Sequence, residues 1–246
     1  AGLYAGPAGV FLAADDGVHG LELWKSDGTE AGTVLVKDVV PGSSGVQFSY
    51  QDRSAAIVGG HFFVSLDDGT HGPELWRSDG TDAGTSMVID LGSSPSDVGP
   101  AHMWVLGDRL LFKYLSVGQG PLYATDGTAS GTVELPVYDG GVIGVLGPWA
   151  FLQAFDVDHG YELWRTDGTP AGTAFVKDLV PGTADSYPRK VAAIGATAFF
   201  LTGTTGEWLW KTDGTDAGTL LVTPSNLVHV PVSVAASTWL FLSAQD

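Results

Sequence analysis

Cysteine is absent from this 246-residue chain, and only 11 lysines and arginines face 28 aspartates and glutamates, a formal net charge of −17. The first absence rules out disulfides, a thiolate nucleophile and Cys-ligated zinc, though it leaves the compartment open, because exported bacterial proteins often lack disulfides. The second sets up a field that repels phosphate backbones and anionic headgroups, so neither nucleic acid nor a membrane surface is an expected partner. Cations and neutral partners such as glycans remain compatible, and the same acidity keeps a secreted protein soluble. No apolar run is long enough to span a bilayer, so no membrane insertion is expected. The chain opens AGLYAGPAG, with neither a basic segment nor an apolar signal core. Such a start fits a chain that is not exported, or a mature chain from which a signal has been removed. What is present is 44% apolar residues, 35 glycines and 8 tryptophans with only 16% charge. That is the composition of a packed chain with many turns, not of a disordered one.

One phrase recurs five times: ELWKSDGTEAGT from Glu22, ELWRSDGTDAGT from Glu74, PLYATDGTASGT from Pro121, ELWRTDGTPAGT from Glu162 and WLWKTDGTDAGT from Trp208. The DGT aspartates fall at 27, 79, 126, 167 and 213. Self-similarity at this period marks a repeat architecture. In the second copy, SAAIV (Ser54–Val58), HFFVSL (His61–Leu66), ELWRS (Glu74–Ser78) and TSMVIDL (Thr85–Leu91) are short β-type runs, each closed by Gly, Asp or Pro. They predict four antiparallel strands joined by hairpins, with no helical period over a helical length.

Four-stranded units of this length, repeated radially, predict an all-β chain, a β-propeller of four-stranded antiparallel blades with five full repeats and a partial sixth. A β-solenoid has shorter coils and lacks the hairpin grammar. A single domain is expected over 1–246, with repeats near 1–48, 49–98, 99–138, 139–186 and 187–230 and a half-unit over 231–246. Val10 and Leu240 both begin a second-strand run, so the last half-unit duplicates what the N-terminus supplies. It belongs to a longer chain or pairs with another subunit, as in a homo-oligomer. Burial of each blade between neighbours explains why Leu23 and Trp24, on opposite faces, are both apolar.

On these residues the chain resembles the ELWxxDGT repeat family of bacterial surface or secreted proteins. The match is carried by Glu22-Leu23-Trp24 with Asp27-Gly28-Thr29, by Glu74-Leu75-Trp76 with Asp79-Gly80-Thr81, and by Glu162-Leu163-Trp164 with Asp167-Gly168-Thr169. The third copy departs with Leu122-Tyr123 and no Glu, and the fifth has Trp208 in its place. The resemblance implies a secreted or cell-surface location and no particular reaction.

The DGT aspartates read as turn formers that bond backbone N–H groups while Gly takes positive φ. The motif aromatics, Trp24 and Tyr123 among them, read as packing between blades. The second-to-third-strand hairpins, DDGVHG from Asp15, DDGTHG from Asp67 and DVDHG from Asp156, carry the candidate ligand-binding residues: Asp15, Asp16, His19, Asp67, Asp68, His71, Asp156, Asp158 and His159. They sit on the same face as the blade-to-blade loops bearing Asp38, Asp90 and Asp178. Carboxylates there are one route to calcium, although the spacing matches no dedicated calcium loop. The three histidines belong to separate blades, too far apart to share zinc, and each reads as a hydrogen-bonder to its own hairpin. No Gly-x-Ser-x-Gly elbow or phosphate loop is present, and the non-repeated Arg109, Lys113, Tyr138 and Asp139 form no recognisable catalytic set. The expectation is therefore a non-catalytic extracellular module that binds carbohydrate at repeated shallow sites, with no required cofactor. A structural or adhesion propeller meeting a surface protein is the alternative, and a propeller hydrolase the third.

Overall fold

The computed structural model describes residues 3–6, 9–48, 54–92, 98–115, 120–203, 208–222, 234–236 and 239–241. Among them there is no helix, and every strand pairing is antiparallel. The first sheet runs β1 (Leu3–Gly6), β2 (Gly9–Asp15), β3 (Leu21–Ser26) and β4 (Val34–Lys37) in chain order. In the second, β5 (Gln47–Phe48) and β6 (Ala55–Val58) both pair with β7 (His61–Asp67) and share the first-strand place; β8 (Pro73–Ser78) and β9 (Ser86–Ile89) complete it. The third contains β10 (Gly99–Leu106), β11 (Arg109–Leu115), β12 (Leu122–Thr125) and β13 (Val133–Glu134). The fourth contains β14 (Tyr138–Leu146), β15 (Trp149–Asp156), β16 (Gly160–Thr166) and β17 (Ala174–Lys177). The fifth contains β18 (Arg189–Ile194), β19 (Thr197–Thr202), β20 (Trp208–Thr212) and β21 (Leu220–Leu221), and a hairpin of β22 (Val234–Ala236) and β23 (Trp239–Phe241) follows. These are the blades of a β-propeller, five whole and one partial. Two strands escape the sequence reading: the four-residue β1, ordered by pairing Leu3 through Gly6 with β2, and the two-residue β5, ordered by pairing with β7. The chain, expected to form one domain, groups into two compact units, Ala1–Glu134 and Leu135–Asp246.

In the first unit, Leu75 packs with Phe63, Leu110 and Phe112, whereas Trp76 packs with Phe11, Leu23 and Phe62. Adjacent residues of one strand thus serve two interfaces, one with the next blade and one with the preceding blade, as alternation on a sheet covered on both faces requires. In the second unit Phe151, Leu163, Ala198 and Phe200 form the equivalent layer between the fourth and fifth blades. Each ELW copy also carries a bulge: Leu23 pairs with Lys37 and Trp24 with Leu35, so Val36 is the extra residue. The same shift occurs at Leu75/Trp76 and Leu163/Trp164.

The repeated polar residues hold this frame. Asp27 Oδ1 accepts the N–H of Thr29 at 2.9 Å and its hydroxyl at 2.7 Å, while Gly28 sits at φ +92°, and the pattern returns at Asp79, Asp126, Asp167 and Asp213. A Cβ on Gly32 would lie 2.0 Å from that Asp27 oxygen, which is why a second glycine closes each turn. Basic residues tie consecutive blades: Lys25 Nζ donates to the Gly80 carbonyl and Arg165 to that of Gly214, both at 2.6 Å. Lys37 and Lys177 reach Asp82 and Asp216 of the following blade at 2.9 Å.

Candidate functional site

Each predicted hairpin folds around its own carboxylates. Asp16 Oδ1 accepts the N–H groups of Val18 and His19 at 2.9 Å, and its Oδ2 accepts from His19 Nδ1 at 2.8 Å. Asp68 makes the same three contacts with Thr70 and His71. Asp15 and Asp67 accept from Gly17 and Gly69 at 2.7 Å. The third hairpin is one residue shorter, and here Asp156 is the partner, taking the N–H of Asp158 and His159 and the His159 ring. Asp158 supplies only its N–H to that network and otherwise faces solvent.

The titration behaviour follows from these contacts. The N–H of His19, then its ring, lowers Asp16 from the ordinary carboxylate value to about 2. At Asp68 and Asp156 partial burial pushes the other way, and the donors of His71 and His159 outweigh it. The three imidazoles are raised in turn, first by the bond to their aspartate and further by the acids around them. The histidines therefore bond their own hairpins, as expected, and hold Nδ1 toward a carboxylate.

The hairpins lie against the blade-crossing loops. Val46 N–H donates to Leu21 O in the first blade and Ser186 N–H to Tyr161 O in the fourth. Asp38 and Asp178 come near His19 and His159 in charge but not into a ligand shell. Among the described residues no group of three or more His, Asp or Glu is gathered as a metal ion requires. The residues sequence reasoning overlooked stand just inside this end of the blades. Glu22, Glu74 and Glu162 are fully buried, and they accept backbone N–H groups 17 or 18 positions on: Val39 and Val40, Leu91 and Gly92, and Leu179. Burial raises all three, Glu162 to about 7. An acid standing in three of the five copies, beside two apolar residues of the ELW triplet, was the available signal.

A cavity of about 570 Å³ opens at the hairpin end of the fourth blade, lined by Pro136, Phe155, Asp156, Val157 and Trp164. His159 stacks on Phe175 with ring centroids 4.6 Å apart, and Phe175 meets Trp164 edge-on. Aromatic walls thus adjoin a carboxylate whose orientation is fixed by His159. A smaller cavity of about 390 Å³ lies at the opposite end of the strands, but its one acid, Asp213, is held by Thr215.

No protein-family model and no curated protein sequence matches the chain. Among solved structures it is similar to the computationally designed Ika8 protein, at 12% identity and a TM-score of 0.50, over 98% of this chain and 67% of that one. It is also similar to puromycin hydrolase (16%, TM-score 0.47, 82% of this chain and 33% of that one) and to the tricorn protease (17%, 0.30, 91% and 22%). The likeness is one of fold. The chain spans about a third of the length of puromycin hydrolase and about a fifth of that of the tricorn protease. Both are enzymes by name, and this corrects the expectation of a non-catalytic chain: the fold is no ground for excluding catalysis, because activity resides in sites and not in architecture. Nor is there a helix among the described residues long and apolar enough to cross a membrane.

Proposed function

We propose that this protein binds carbohydrate at the hairpin end of its fourth blade, and that it does so as a secreted or cell-surface protein of the ELWxxDGT kind. The observation that carries the reading is the cavity in which Asp156 shares a wall with Phe155 and Trp164. Sugars present an apolar ring face bordered by hydroxyls; an aromatic wall covers the first and an oriented carboxylate accepts from the second. The strongly acidic surface favours neutral over anionic glycans. Asp16 and Asp68 of the first and second blades hold the same turn contacts as Asp156, and what sets the fourth blade apart is the aromatic cavity beside its carboxylate.

A glycan-array screen of the wild type and of Asp156→Asn, each with calcium and with EDTA, tests the reading. The expected result is a saccharide signal in the wild type that falls several-fold in the variant while the melting temperature holds. Signal lost under EDTA would bring calcium into the site. No saccharide signal under any condition would overturn the proposal.

A further inference from the structure

At the cavity the fourth blade departs from its repeat in one side chain. Strand pairing sets Leu12 opposite Trp24, Val64 opposite Trp76 and Leu152 opposite Trp164. Along the same strands, Phe155 therefore stands where the first and second blades carry Asp15 and Asp67, and the next residue is the hairpin carboxylate in all three: Asp16, Asp68 and Asp156. Asp15 and Asp67 accept the N–H groups of Gly17 and Gly69. Phe155 makes no such turn and lines the cavity instead, its ring 5.3 Å from that of Tyr161. Val157 follows at 79% exposure, and Pro136 brings no N–H. The indole nitrogen of Trp164 is buried, so the ring offers carbon to the cavity. Asp156 is thus the one lining side chain with a hydrogen-bonding group to present. Its Oδ1 takes the N–H of Asp158 and of His159, and the His159 ring lies 2.9 and 3.0 Å from the two oxygens, which leaves acceptor capacity on Oδ2.

We infer that the preferred ligand of this cavity is a sugar bearing an acetamido group. The inference rests on the carbohydrate reading of the site. A wall of carbon with a single carboxylate fits a group that joins one good donor to an apolar end. The acetamido N–H is that donor, and a bond to an ionised acceptor is among the stronger hydrogen bonds. The methyl lies on the carbon of Phe155, Val157 and Trp164 and leaves water. A sugar with hydroxyls alone has a donor for Asp156 but sets polar oxygens against the same carbon, where they lose water without a replacement. A sugar carboxylate in that place is repelled by Asp156. Position 155 decides the choice, since an acid there, as at Asp15 and Asp67, removes the apolar wall.

Titration calorimetry with N-acetylglucosamine oligomers and with glucose oligomers of the same length and linkage tests it. The expected result is about tenfold tighter binding of the acetylated series. Phe155→Asp, which restores the residue that the first two blades carry, should bring the two series to equal affinity. Val157→Ser changes an exposed side chain, so folding is not at stake, and it should cut the preference several-fold even if Phe155→Asp folds poorly. Equal binding of the two series by the wild type overturns the acetamido inference and leaves the carbohydrate reading standing. A preference that survives both substitutions overturns its assignment to this cavity. Binding of neither series overturns the carbohydrate reading and the inference with it.

Discussion

Replacing Glu74 by Leu removes the acceptor on which the second blade's exit loop depends. The carboxylate takes the N–H of Leu91 at 3.1 Å, that of Gly92 at 2.7 Å and the Tyr114 hydroxyl at 3.2 Å, with no solvent exposure of its own. Leucine is close in volume, so packing changes little and the cost is that of the abandoned donors. A buried donor left without a partner costs about 1–3 kcal/mol, offset in part because a carboxylate no longer has to be desolvated. The net loss comes to about 2–4 kcal/mol. In a chain of this length that corresponds to a fall in melting temperature of roughly 5–12 °C. Glu74→Gln keeps one oxygen but turns an amide N–H₂ toward donors, and should lie between the wild type and Glu74→Leu. Calorimetry gives the melting shift, and amide hydrogen exchange at Leu91 and Gly92 shows whether the loop has opened. A Glu74→Leu protein melting within 1–2 °C of wild type, with both amides still protected, would refute the anchor.

Three further outcomes follow from the frame. Gly84→Ala puts a Cβ 2.1 Å from the Asp79 carboxylate and should destabilise by about 2–4 kcal/mol. Gly141→Ala, with nothing within 4 Å, should be near neutral, and calorimetry on the pair separates close approach from a general glycine effect. Arg165→Ala removes both the bond to Gly214 O and the guanidinium 4.0 Å over Trp149, an expected loss of about 1–3 kcal/mol; Arg165→Lys should keep the bond, as Lys25 does, and lose the ring contact. By NMR, His71 should titrate above the ordinary histidine value and drop in Asp68→Asn. Its stabilising share is complete below the ordinary histidine pKa and is lost as pH rises through the raised one. Glu162, raised from 4.5 to about 7, acts in the same direction, losing stability as pH climbs through that interval. The melting temperature should therefore fall between pH 5 and 8, and Glu162→Gln should flatten the decline.

The blade grammar was legible because it is local. His61–Leu66 was expected as a strand and His61–Asp67 is one; Glu74–Ser78 was expected and Pro73–Ser78 is found. The period-two apolar pattern, closed by Asp-Gly turns, needs no distant partner to be read. The turn chemistry of Asp27 and the histidine's attachment to its own hairpin were legible for the same reason, since donor and acceptor lie within three residues. What escaped depends on cross-strand and cross-loop distance. Glu22 reaches Val39 and Val40, and Tyr161 reaches Asp139 and Asp185, each about 20 residues away. Asp139, noted as a departure from the repeat without any visible partners, acquires them only when β14 and β16 are brought onto the same blade.

Stoichiometry separates a ligand surface built from the repeat from one built from its departures. If the three hairpins of Asp16, Asp68 and Asp156 were equivalent sites, titration would saturate near three ligands per chain, and multivalent ligands would gain avidity from all of them. The carboxylate geometry is common to all three: Asp16, Asp68 and Asp156 each accept two turn N–H groups and the ring of their own histidine. That is the regularity of a repeated support, and the difference between the blades lies in what surrounds it. The fourth blade sets Asp156 in the wall of an aromatic cavity of about 570 Å³. Binding should therefore saturate near one ligand per chain, Asp68→Asn should leave it unchanged, and Asp156→Asn should weaken it several-fold. Three equal sites, each removed by its own hairpin mutation, would return function to the repeat and leave the fourth blade's departures without a role in binding.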